Sequence, residues 1–169
     1  LASKSVLDAV EAARTEVGDS FYPRVTLAHL QNIHASDRGR FAELGVSANF
    51  TPWWHGEDQP DPAAAALGPI RSADTYTAKS LFDSGGNVTF SSDEWNLEVL
   101  SPFLGMQIGH TRKYPGEMLS EGADPNAFRL PETEKLGLDL MLKGYTINGA
   151  YPLRKEDQIG SIESGKIAD

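Results

Sequence analysis

Apolar residues recur along the chain with two different periods, and the places where the period changes mark its elements. From Ser5, the residues Val6, Val10, Ala13 and Val17 fall at helical spacing with Leu7 beside them, and Gly18 supplies a stop. Arg24 to Gln31 (RVTLAHLQ) is short and β-prone, and reads as a strand. Ser36-Asp37 opens a second helix with Phe41 and Leu44 on one face and Gly45 at its end. Val46 to Trp54 (VSANFTPWW) reads as a second strand finishing in aromatic residues. The stretch from His55 to Pro69, rich in Gly, Pro, Asp and Ala, is long for a connection and reads as a functional loop. Ser72 is expected to cap a helix through Leu81 and Phe82, closed by Gly85-Gly86. Asn87 to Ser92 (NVTFSS) is the third strand, ending at Asp93. Ser101-Pro102 matches an N-cap followed by proline at the first helical position. Pro131 is expected to open a helix through Leu136 and Leu140 to Lys143-Gly144, with a short helix from Thr146.

Three strands separated by helices, without a hairpin signal, predict right-handed βαβ crossovers and a parallel sheet, hence an α/β fold. In a parallel barrel the C-terminal ends of the strands face the active site. His29, His55 and Asp93 all fall at or just beyond such ends.

Composition narrows the chemistry. A length of 169 residues suits one domain. The net charge of -9 and the lack of a Lys/Arg run exclude a general attraction to nucleic acid or anionic membrane. The absence of cysteine removes disulfides, thiolate zinc sites and thiol nucleophiles. No apolar run approaches the roughly 20 residues that span a bilayer, and no signal segment opens the chain, so a cytoplasmic location is expected. The chain starts at Leu1 and stops at Asp169 directly after a turn, so both ends read as cut. The Asn-x-Thr triplets at Asn49 and Asn87 lie in or beside strand-like runs and read as chance matches.

The candidate residues each carry two readings. His29 in its apolar strand is either a buried, hydrogen-bonded histidine or a metal ligand. Asp93 at a strand end either caps the following helix or serves catalysis, because an unpaired carboxylate there is costly. Together the two are donors that zinc accepts, but two ligands do not complete a site. Trp53 and Trp54 either pack under the following loop or form a substrate wall with His55 at its rim. Arg71 either joins a surface ion pair or binds a substrate carboxylate in bidentate fashion. His34 and His110 read as solvated or capping residues.

Five blocks, taken in order, resemble the metal-dependent amidohydrolase superfamily, in the branch called amidohydrolase family 3. His29, Asp37, Arg40-Phe41 and Leu44-Gly45-Val46 are similar to that family's "EH…D..RF..LGV", with Ala28 in place of the Glu. Thr51-Pro52 stands where the family often has Gln-Pro. Leu67-Gly68-Pro69-Ile70-Arg71 leads to Ser80-Leu81 and Gly85. Ser91-Ser92-Asp93-Glu94-Trp95 resembles "GSDWP", with an extra Glu and no Pro. Ile159 to Asp169 is similar to "IGSIEPGKLADLVVLD", cut before its final strand.

The resemblance implies a partial (β/α)8 barrel, about strands six to eight with their helices, over residues 1–157. Residues 158–169 would begin the return to a β-sandwich domain that the chain lacks. His29 would be the metal-ligating histidine of strand six, and Asp93 the strand-eight aspartate that binds metal and takes the water proton. Trp53-Trp54 would close strand seven, and Leu1 to Arg14 would follow strand five. The earlier metal ligands, including a His-x-His, would lie on an absent N-terminal half. The implied parent hydrolyses a carbon–nitrogen bond of a small-molecule amide with zinc or another divalent metal. The chain alone would then be either a metal-binding piece or a silent one holding no metal. A silent piece would self-associate as a homo-oligomer or dock onto the missing half.

Overall fold

A computed structural model of the chain describes residues 2–57, 64–93 and 101–167. Helix α1 (Ala2–Val17) leads into strand β1 (Thr26–Ala28), helix α2 (Ala35–Glu43) and strand β2 (Ser47–Phe50). A 3-10 turn (Pro52–His55) follows, then α3 (Ala64–Ser72), α4 (Ala78–Asp83) and strand β3 (Val88–Phe90). Helices α5 (Pro102–Thr111), α6 (Leu138–Tyr145) and α7 (Ile147–Ala150) complete the order. The strands form one parallel sheet, as their spacing predicts, and lie in the order β1-β2-β3.

Register explains which face holds the core. Ala48 pairs with Val88 and Phe50 with Phe90, and Leu27 lies beside Ala48. Because side chains alternate along a strand, these residues share one face, and there Leu7, Phe41, Leu81, Leu136 and Met141 pack against them. The opposite face is small and polar. Across it the Asn87 amide donates to Ser47 Oγ at 2.8 Å, and the Asn49 amide to Thr89 Oγ1 at 2.9 Å. Ser91 Oγ donates to Asn49 Oδ1 at 2.8 Å. Both Asn-x-Thr triplets thus use their asparagine side chains in bonds between strands.

Several expected boundaries move, each for a local reason. The first helix buries Ser3, Leu7 and Val10 and leaves Val6 and Val17 exposed, so its apolar stripe lies one position round from the expected one. The strand expected over Arg24 to Gln31 ends at Ala28, since His29 and Leu30 take positive φ values of 71° and 45°. The second strand ends at Phe50 because Pro52 has no N–H for a ladder. Ser72 closes α3 rather than opening the next helix: its hydroxyl donates back to Gly68 O at 2.9 Å, and α4 begins behind Thr77.

The loop expected over His55 to Pro69 gives way to α3 from position 64, and residues 58–63 lie outside the described residues. The helix expected from Pro131 starts only at Leu138. The intervening chain is held by tertiary bonds instead, with Glu134 accepting the Ser80 N–H at 3.0 Å and Leu136 N–H donating to Gly109 O at 3.1 Å. Gly45 and Gly85 end α2 and α4 in the left-handed region, as expected, with φ of 58° and 83°. His34 caps α2, its Nδ1 accepting the Ser36 N–H at 3.3 Å. Beyond Gln158 the chain turns back on itself, Ile167 N–H donating to Gln158 O at 2.8 Å, and the expected sandwich return would continue through residues 168–169, outside the described residues.

The segment before β1 is tied to the C-terminal part by Arg24. Its guanidinium pairs with Glu156 at 2.7 Å and lies over the Tyr151 ring, 4.0 Å from the centroid. Arg24 holds the Glu156 carboxyl down at about 2. A carboxyl depressed in the folded state stabilises above its unfolded value and loses that contribution as pH falls through the folded one. Glu156→Gln should therefore lower the urea midpoint at pH 6, with the deficit shrinking from about pH 4.5 towards 2. Equal midpoints for both proteins at pH 6 would remove this contribution.

Candidate metal centre

β1 and β3 flank β2, so their ends stand about 9–10 Å apart by strand spacing. His29 and Asp93 reach across that gap. Leu30 N–H donates to Ala28 O at 3.0 Å, closing a three-residue turn with His29 at its centre. Asp93 follows β3 by three residues and also has a positive φ, 50°. Such conformations cost energy in residues other than glycine, and they gather at functional sites. The result places His29 Nδ1 3.6 Å from Asp93 Oδ2, with the side chains 57% and 45% exposed. His29 is thus not the buried, hydrogen-bonded histidine of its plainer reading. Asp93 does not cap α5, whose N-cap is Ser101.

The separation suits one bridging ion. Two donors at roughly 2.0–2.2 Å from a tetrahedral zinc lie about 3.4 Å apart. The set is incomplete, however. No group of three or more His, Cys, Asp or Glu able to hold a metal occurs among the described residues. A catalytic zinc takes three protein ligands and a water, more than this pair of side chains can offer.

His55, expected at the rim, is instead fully buried. Its ring meets Phe50 and Phe90 edge-on, at 5.7 and 6.5 Å between centroids, and lies tilted 5.4 Å from Tyr76. Neither ring nitrogen has a hydrogen-bond partner among the described residues. Burial pushes its pKa well below the usual histidine range, and the cations Arg112 and Arg129 push the same way. His55 is a neutral plug beneath the site. Strand-end position alone does not separate it from His29, because the 3-10 turn swings successive side chains about 120° round its axis.

The two tryptophans part company. Trp53 is half-buried and tilts against Tyr114, 6.0 Å between centroids. Trp54 stacks on His29, with centroids 5.4 Å apart and planes 22° from parallel. Arg71 lies exposed on α3, its Nε donating to Leu67 O at 2.8 Å. It lines a hollow of about 780 Å³ with Ile33, His34, Leu67, Ile70 and Asp74. Asp74 and Asp37 there are neutralised by Arg38 and Arg40, and Lys4 by Asp8. No carboxylate pairs with Arg71 among the described residues.

Two arginines that no local pattern marks hold this end of the sheet together. The Arg112 side chain is fully buried, yet it donates to the carbonyls of Thr75, Tyr76, Arg129 and Leu130 at 2.8–3.2 Å. Burial pushes its pKa down to about 10, which leaves it cationic at neutral pH. Arg129 Nε donates to Gly56 O at 2.9 Å, and its guanidinium lies over the Tyr76 ring, 5.2 Å from the centroid. Arg129 stands between Phe128 and Leu130 and Arg112 between Thr111 and Lys113, settings too common to single either out.

A family model described as "Amidohydrolase family" matches residues 2–169. Among solved structures, the fold is similar to an uncharacterized metal-dependent hydrolase from Pyrococcus furiosus, with TM-score 0.69 and 20% identity. That match covers 99% of this chain and 30% of the other. A second uncharacterized metal-dependent hydrolase, from Pyrococcus horikoshii OT3, gives 0.67 and 19%, covering 98% of this chain and 31% of its own. The chain spans less than a third of the length of either structure. Curated proteins include no match to the chain.

Proposed function

Since the chain belongs to the amidohydrolase family, we propose that it is part of a metal-dependent hydrolase of carbon–nitrogen amide bonds, to which His29 and Asp93 contribute metal ligands. The observation that carries this reading is the 3.6 Å approach of His29 Nδ1 to Asp93 Oδ2 over the end of β2. The three parallel strands are read as strands six to eight of a (β/α)8 barrel. The outer strands β1 and β3 each leave an edge without a partner strand among the described residues. Further barrel strands there would bring the remaining ligands.

A bound divalent ion, for which zinc suits the donor set, supplies an activated water and polarises the scissile carbonyl. The Asp93 carboxylate would help to hold such an ion, and it would take a proton from the attacking water and return it to the departing amine. Arg71, which has no carboxylate partner among the described residues, binds an anionic substituent of a small-molecule amide, and the indole of Trp53 offers apolar surface. His55, being fully buried, is left out of the substrate set.

Metal analysis of the complete protein tests the assignment. Stoichiometric divalent metal is expected, with a clear loss in His29→Ala and in Asp93→Ala. Equal metal content in all three proteins would remove both residues from the ligand set.

A further inference from the structure

His29 is an unusual candidate ligand because so little holds its ring. More than half of the side chain is exposed. No hydrogen bond to the imidazole is formed among the described residues, where a metal-ligating histidine ordinarily donates its second nitrogen to a carboxylate or carbonyl. An exposed imidazole free to rotate would give up rotamer entropy each time it met an ion.

The face of the ring is occupied instead. Trp54 lies against it, nearly parallel, at 5.4 Å between centroids. Trp54 is itself held from both sides along the chain. Its N–H donates to Thr51 O at 2.9 Å, Thr51 and Pro52 are buried, and the next residue, His55, is locked among Phe50, Tyr76 and Phe90. Trp54 also tilts against Tyr76, 6.5 Å between centroids, and packs on the core. The aromatic plug under the sheet thus fixes the indole, and the indole faces the imidazole.

We propose that Trp54 is a positioning residue that orients His29 for the metal by aromatic stacking, in the role that a hydrogen-bond partner usually fills. The indole restrains rotation of the imidazole about its side-chain bonds and keeps Nδ1 turned towards Asp93. This assigns Trp54 to the metal ligand, not to a substrate wall, and it rests on the reading of His29 as a ligand.

The test uses the complete protein, stripped of metal and labelled with ¹³C-histidine, titrated with Zn²⁺ and followed at the His29 ring signals by NMR. Trp54→Leu keeps apolar bulk over the core but removes the aromatic face, and Trp54→Phe restores a smaller one. In the metal-free protein, Trp54→Leu should abolish the ring-current shift of His29 while the other histidine signals and the thermal midpoint stay close to wild type. Zn²⁺ affinity should fall about 10-fold or more, the usual consequence of losing a ligand's supporting partner, and Trp54→Phe should recover most of it. Wild-type Zn²⁺ affinity in Trp54→Leu, with binding lost in His29→Ala, would overturn the positioning role and leave His29 as a ligand. Titrations that coincide for wild type and His29→Ala would overturn both. Should Trp54→Leu fail to fold, Trp54→Phe decides the matter through its ring-current shift: unchanged His29 shifts there would show that the indole does not stack on the ring.

Discussion

Asp93→Asn in the complete enzyme is expected to lower kcat by about 100- to 10,000-fold, the range that a general acid–base group supplies, with a further loss from weakened metal binding. The amide has nearly the shape of the carboxylate, but it carries no charge to hold a cation and has no basic oxygen to take a proton from water. The fold should be indifferent to the exchange. Asp93 is 45% exposed and its partner is His29 at 3.6 Å, outside hydrogen-bond range. Surface changes of this kind usually stay within about 0.5 kcal/mol. Steady-state kinetics on an amide substrate, with the thermal midpoint measured on the same preparation, check both halves. Wild-type turnover would take Asp93 out of the mechanism.

The second large effect is on stability. Arg112→Met should cost about 3–5 kcal/mol, the scale seen when one partner of a buried charged network is removed. Four carbonyls, of Thr75, Tyr76, Arg129 and Leu130, lose the guanidinium together, and Leu130 O keeps the Thr75 hydroxyl as a donor at 3.4 Å. Each buried carbonyl left unpaired costs about 1–3 kcal/mol before relaxation. Methionine fills much of the volume, so the deficit reports on the donors and not on a cavity. Arg112→Lys should recover only part, since an ammonium cannot reproduce the planar fork that serves two segments at once. Urea denaturation of the three proteins measures it. A loss below about 1 kcal/mol for Arg112→Met would mean that water replaces the guanidinium at no cost. Against a total stability of about 5–15 kcal/mol, the expected loss is a large fraction of what keeps the chain folded.

These two residues also show how unequally the sequence speaks. Asp93 stands out as a carboxylate at the end of an apolar strand, a position that leaves capping and catalysis both open, and its catalytic reading comes from the block resembling "GSDWP". Arg112 is not legible, because its four acceptors are backbone carbonyls 17 to 37 positions away along other loops, and carbonyls leave no mark in a sequence. His55 is misplaced by its sequence position for a related reason. A strand end puts it beside His29, but the turn Pro52–His55 carries it under the sheet, and only the rings of Phe50, Tyr76 and Phe90 packed around it reveal that. Trp54 is legible as an aromatic near a site, yet its partner is not, since His29 follows a different strand.

Determined by the sequence alone are the α/β alternation, the parallel character of the three-stranded sheet, the stops at Gly18, Gly45 and Gly85, and the family. These follow from periodicity, from backbone preferences of single residues and from ordered motifs, all of which act over a few positions. The tertiary structure decided what depends on distant chain segments meeting. It set which stripe of α1 is buried, where His29 ends its strand, and the 3.6 Å approach of His29 to Asp93. It also made one histidine a plug and left the other half-exposed beside a carboxylate, because burial belongs to a place in the packed molecule and not to a residue.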